Sequence, residues 1–149
     1  MKGNTKRQTE KQFLNPADLY APVGFTHVVT AYQGKMIFVA GQVPLNKEGK
    51  LVGKRDLRAQ TTQVFENLKI ALAAAGASFS DVVKINAYVV NPKPADVTTF
   101  MEVQSKYVSK KKPPASTFVG VQSLARGTDV LVAIDEVAIV AAPGFNDPG

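Results

Sequence analysis

The run Val130-Leu131-Val132-Ala133-Ile134-Asp135-Glu136-Val137-Ala138-Ile139-Val140 limits the possible folds more than any other stretch. It is apolar and β-branched except for two adjacent carboxylates, which suits a central strand covered on both faces. A carboxylate in such a strand is costly to bury without compensation. One of Asp135 and Glu136 is therefore expected to face a polar pocket or a subunit boundary, and the alternative places both at a solvated sheet edge. The preceding run, Pro113-Pro114-Ala115-Ser116-Thr117-Phe118-Val119-Gly120-Val121, is also β-prone. With Gly127 in a short connector, the two read as paired strands.

Upstream, residues 27–32 and 35–40 flank Gln33-Gly34, the spacing of a two-residue hairpin in which Gly34 supplies the positive φ. The second run ends in Ala40-Gly41-Gln42-Val43-Pro44-Leu45, where glycine permits a bulge and proline stops pairing. Asp56 is an N-cap for a helix to about Ala75, with Leu57, Thr61, Val64, Phe65, Leu68, Leu72 and Ala75 on one face and Gly76 as the left-handed cap. Residues 81–90 form a third strand. Asn91-Pro92-Lys93-Pro94 breaks it and seeds a helix over 95–108, which Pro113-Pro114 keeps from continuing.

This order predicts an α+β sandwich in which two helices cover one face of a mixed sheet. The other face is apolar enough to call for a second subunit, so a closed homo-oligomer is expected. The 149 residues suit one domain, read as a flexible basic tail over 1–20, a single domain over 21–142 and a C-terminal tail over 143–149.

Composition removes several function classes. There is no cysteine, and the single His27 leaves no usual zinc site, so no metal site is expected. His27 itself reads as a hydrogen-bonded structural side chain. No apolar run is long enough for a membrane span and the N-terminus is basic and polar, so a cytoplasmic location and no membrane partner are expected. The net charge of +6 gathers in the N-terminal segment and in Lys110-Lys111-Lys112, without the interleaved aromatics of a base-stacking platform. Specific nucleic-acid binding is not expected.

With these elements placed, the sequence resembles the RidA/YjgF family. The likeness rests on Phe38-Val39-Ala40-Gly41-Gln42-Val43-Pro44-Leu45, on Gln60-Thr61-Thr62-Gln63-Val64-Phe65-Glu66-Asn67-Leu68, on Asp81-Val82-Val83-Lys84, on Pro114-Ala115-Ser116-Thr117 and on Val132-Ala133-Ile134-Asp135-Glu136-Val137-Ala138. The resemblance implies a chorismate-mutase-like fold assembled as a homotrimer through its sheets, with small-molecule pockets between subunits. It also implies cofactor-free hydrolysis of reactive imines and enamines to a 2-keto acid and ammonia. In deaminating members an arginine after the Pro-Ala pair clamps the substrate carboxylate, and a glutamate on the last strand positions water.

This chain departs from that pattern. Ser116 stands at the arginine position, and a hydroxyl supplies neither charge nor a bidentate fork. Asp135 takes the glutamate position, Phe25 replaces a tyrosine and Ala40 a serine. Loss of the clamp should cost several kcal/mol in binding a 2-imino acid. The candidate site therefore comprises Asp135 as the catalytic carboxylate, with Ser116, Thr117, Gln42, Gly41 and Phe25 lining the substrate pocket. Arg126 is either a substitute cation or simply exposed. Strand alternation turns Glu136 away from Asp135. The expectation is hydrolysis of a small imine or enamine without the arginine route. The alternatives are a non-catalytic metabolite-binding pocket, or the endoribonuclease or translation-inhibitor role that the resemblance also implies.

Overall fold

In the computed structural model, which describes residues 10–142, the last strand lies at the centre of the sheet. The elements run β1 (Glu10–Leu14), β2 (Val28–Tyr32), β3 (Lys35–Gln42), α1 (Leu57–Ala74), a 3₁₀ turn (Phe79–Asp81), β4 (Val82–Val90), α2 (Pro94–Gln104), β5 (Ala115–Val121) and β6 (Val132–Val140). Four strands form a mixed sheet in the order β3-β6-β4-β5, antiparallel except for the β4–β5 pair. The fold is thus α+β with two helices against a mixed sheet, as expected.

Helix α1 begins where the Asp56 side chain accepts a hydrogen bond from the Ala59 amide at 3.0 Å. Gly76, at φ +76°, follows its C-terminus in the left-handed region. Its stripe of Thr61, Val64, Phe65, Leu68 and Leu72 is buried, and α1 packs on β6 and β3. Beneath it lie Ile37, Val39, Ile85, Ala87, Val89, Val132, Ile134 and Ala138. Each large side chain in this layer contributes roughly 1.5–3 kcal/mol by leaving water. Helix α2 ends at Gln104, short of the expected residue 108, and closes in turns to Tyr107 and Val108. Among the described residues no helix is long and apolar enough to cross a membrane.

Three expectations are corrected. First, β5 and β6 are not paired, because β4 lies between them and takes β5 on one edge and β6 on the other. Second, β2 and β3 share no ladder, although the chain turns between them with Gln33 at φ +57° and Gly34 at φ +155°. The partner of β2 is β1. Local turn chemistry brings two strands near each other without fixing which edge each of them pairs with. Third, the tail reading of residues 1–20 fails for Glu10–Leu14, which are strand; the rest of the N-terminal tail up to residue 9, and residues 143–149, lie outside the described residues. The bulge foreseen at Gly41 is present, as a register shift between Val39 and Gln42.

Candidate functional site

The pleat of β4 sorts the polar residues of the sheet into two rows. Asn86 registers with Asp135 on one side and Thr117 on the other, so these three share a face. Ile85 registers with Glu136 and Ser116, which share the opposite, helix-covered face.

On the open face Asn86 Nδ2 donates to Asp135 Oδ1 at 2.8 Å, and Lys84 Nζ donates to Thr117 Oγ1 at 2.7 Å. Tyr88 stands two residues further along the same stripe, and chiefly the negative charge of Asp135 raises its pKa above the ordinary phenol value. The face therefore carries an acceptor fixed by an amide, a protonated phenol and an ammonium, which together can orient water and supply a proton. Around them the surface is apolar: Met36 is 58% and Phe38 72% exposed.

The helix-covered face holds a cavity of ≈ 310 Å³ between α2, β5 and residues 20–25. Its wall includes Tyr20, Phe25, Met101, Gln104, Ser116 and Phe118. The Thr26 amide donates to Pro114 O at 3.1 Å and its hydroxyl to Pro113 O, which fixes Phe25 beside the start of β5. Gly24, at φ +76°, lies so close to Met101 that an added Cβ would sit 2.2 Å from its Cε. His27 is structural as expected: its Nε2 lies 2.8 Å from Tyr20 O, and its ring meets Tyr20 and Phe25 edge-on.

The expected site residues thus divide. Phe25 and Ser116 meet in the cavity, whereas Thr117 and Asp135 lie on the other side of the sheet. Within one chain Ser116 and Asp135 cannot line the same cleft. Gln42, at the end of β3, folds back to donate to Ala40 O at 3.1 Å. Gly41 has a normal φ and open space where a side chain would project, so no close backbone approach requires glycine there. Arg126 is exposed. Among the described residues no group of three potential metal ligands occurs.

Sequence reasoning missed Lys84, Asn86, Tyr88 and Gln104 as site residues. Lys84, Asn86 and Tyr88 recur at period two in an otherwise apolar strand, which is a legible polar stripe. Gln104 carries no such signal. Glu136 is a different surprise, 2% exposed with neither carboxylate oxygen hydrogen-bonded among the described residues. Burial, and secondarily the charge of Asp135, push its pKa up to about 8.

The profile described as Endoribonuclease L-PSP matches residues 16–140. The chain belongs to this family. A RutC family protein of Pyrococcus abyssi is 40% identical over 105 residues, covering 70% of this chain and 79% of its own. Among solved structures, a protein of unknown function of the conserved Rid family from Yersinia pestis superposes with a TM-score of 0.80 at 40% identity, covering 87% of this chain and 98% of its own. TdcF of E. coli, solved with bound serine, gives a TM-score of 0.58 at 26% identity, over 71% of this chain and 81% of its own. These likenesses make the chain a Rid-type protein and agree with the α+β fold.

Proposed function

We propose that this Rid-family protein binds small metabolites where identical subunits of a homotrimer meet, and hydrolyses reactive imines or enamines without an arginine clamp. The observation that carries this reading is Asp135, held by Asn86 on an open sheet face whose apolar residues are exposed. A second sheet placed on that face would desolvate the carboxylate and leave it as the fixed acceptor for a water. Because Ser116 lies on the other face of its own sheet, near the start of the edge strand β5, a cleft holding both residues takes them from two chains. In the reaction Asp135 accepts a proton from water as its oxygen adds to the imine carbon. The nitrogen gains protons, the C–N bond breaks, and ammonia leaves behind a carbonyl.

The test is ammonia release from freshly generated 2-aminoacrylate and from an imine without a carboxylate, using wild type, Asp135→Asn and Ser116→Arg. Asp135→Asn should lower the rate about 10²–10³-fold, and Ser116→Arg should gain activity on the carboxylate-bearing substrate alone. Hydrolysis by wild type no faster than in buffer refutes catalysis. The cavity around Phe25 and Ser116 supports the second reading, a non-catalytic binding protein, which survives that result. The endoribonuclease label draws no support from His27, since its Nε2 is engaged by Tyr20.

A further inference from the structure

The four strands of the main sheet carry charge only at Lys35, Lys84, Asp135 and Glu136. Lys35 donates to Ala75 O at 2.9 Å, just beyond α1, and Glu136 is buried on the helix-covered side. The open face of these strands is left with one cation and one anion, Lys84 and Asp135. They do not pair: among the described residues Lys84 enters no ion pair, and Asp135 takes its hydrogen bond from Asn86.

Neutral groups hold the two charges apart. Asn86 registers with Asp135 on β6 and with Thr117 on β5, so the three form a row across neighbouring strands. The row spans two strand spacings, about 10 Å from end to end. Lys84, two residues before Asn86, reaches the end of the row away from Asp135 and donates to Thr117 Oγ1 at 2.7 Å. The ammonium keeps further hydrogens to give, and the Thr117 hydroxyl, its oxygen already accepting, turns its own hydrogen elsewhere. Side by side they offer two donors to the two oxygens of a carboxylate. A small acid held there carries the carbon beside its carboxyl into the middle of the row, with room for a water hydrogen-bonded to Asp135. Once a second sheet covers the face, an ammonium without an anion would be costly to keep, and the bound carboxylate removes that cost.

We propose that Lys84, together with Thr117, anchors the carboxylate of a small 2-keto or 2-imino acid on the open sheet face, in place of an arginine clamp. This rests on the reading of that face as the substrate site and names the residue that makes the site select for acids.

The test titrates pyruvate and methyl pyruvate, alike in shape but not in charge, into the full-length protein and follows backbone amide NMR shifts. Wild type should bind pyruvate about 10-fold or more tightly than the ester, the share of one charge-assisted hydrogen bond, with shifts at Lys84, Asn86 and Thr117. Lys84→Met should remove that preference, and Lys84→Arg, which keeps the charge, should retain it. Equal binding of the two probes by wild type, binding of neither, a preference that survives Lys84→Met, or pyruvate shifts confined to residues 110–112 overturns the anchor. Ammonia release from 2-aminoacrylate is scored separately: a protein that binds pyruvate through Lys84 but releases no ammonia keeps the anchor and loses the hydrolytic reading. The wild-type ranking and the position of the shifts decide the matter even if Lys84→Met fails to fold.

Discussion

Replacing Glu136 by glutamine should make the protein more resistant to unfolding at alkaline pH. Glu136 faces the interior of the helix-covered layer, flanked in register by Val39 and Ile85. Helix α1 above it buries Gln60 and Thr61, but both are committed: Gln60 to the backbone at Gly53, Asp129 and Leu131, and Thr61 to Leu57 O at 2.7 Å. With no cation and no donor among the described residues to stabilise the anion, burial first and the Asp135 charge second raise the pKa from 4.5 to about 8. The acid is therefore protonated in the folded protein at pH 7 and ionised in the unfolded chain. The folded state is relatively most stable below about pH 4.5. It loses ground as pH rises through the interval up to about 8, because the unfolded chain gives up the proton more readily there. Across that interval the loss is on the order of 4 kcal/mol, at most about 1.4 per pH unit. Glutamine never ionises and keeps the shape. Urea unfolding of wild type and Glu136→Gln at pH 5, 7 and 9 isolates the effect, since every other titration is common to both proteins. The variant should gain steadily on wild type toward pH 9. Parallel stability profiles would show that Glu136 ionises normally in the fold and refute the reasoning.

Gln60→Leu removes a side chain that satisfies three backbone groups at 2.8–3.0 Å, so urea unfolding should show a loss of about 2–4 kcal/mol despite the gain in apolarity. Gly53→Ala should also destabilise, by roughly 1–3 kcal/mol, because φ is +79° and the new Cβ would lie 2.7 Å from that of Ala59. Burial and the Glu66 hydrogen bond at 2.9 Å push Tyr107 up to about 12, so ultraviolet titration should show a phenol ionising near that pH that disappears in Tyr107→Phe. Light scattering should find a species of three chain masses, and a monomer at micromolar concentration would argue against the proposed clefts.

Local signals in the chain were reliable wherever they act over a few residues. Asp56 and Gly76 mark the ends of α1 because a cap hydrogen bond and a left-handed φ are decided within one turn. The bulge at Gly41 followed from Gly and Pro in a strand-like run. The ladders were less legible. A β-prone run presents the same edge to any partner, so nothing local indicated that β4 would separate β5 from β6, or that Glu10–Leu14 would pair with β2.

The amino acids alone established the fold class, the family and the opposite orientation of Asp135 and Glu136, since patterning and strand alternation are properties of neighbours in sequence. Only the packed structure decided which carboxylate lies in the core, that Ser116 and Asp135 occupy opposite sides of one sheet, and that the Gln104 amide oxygen is buried without a partner among the described residues. Strand order and the placement of α2 control those facts, and both arise from contacts between residues far apart along the chain.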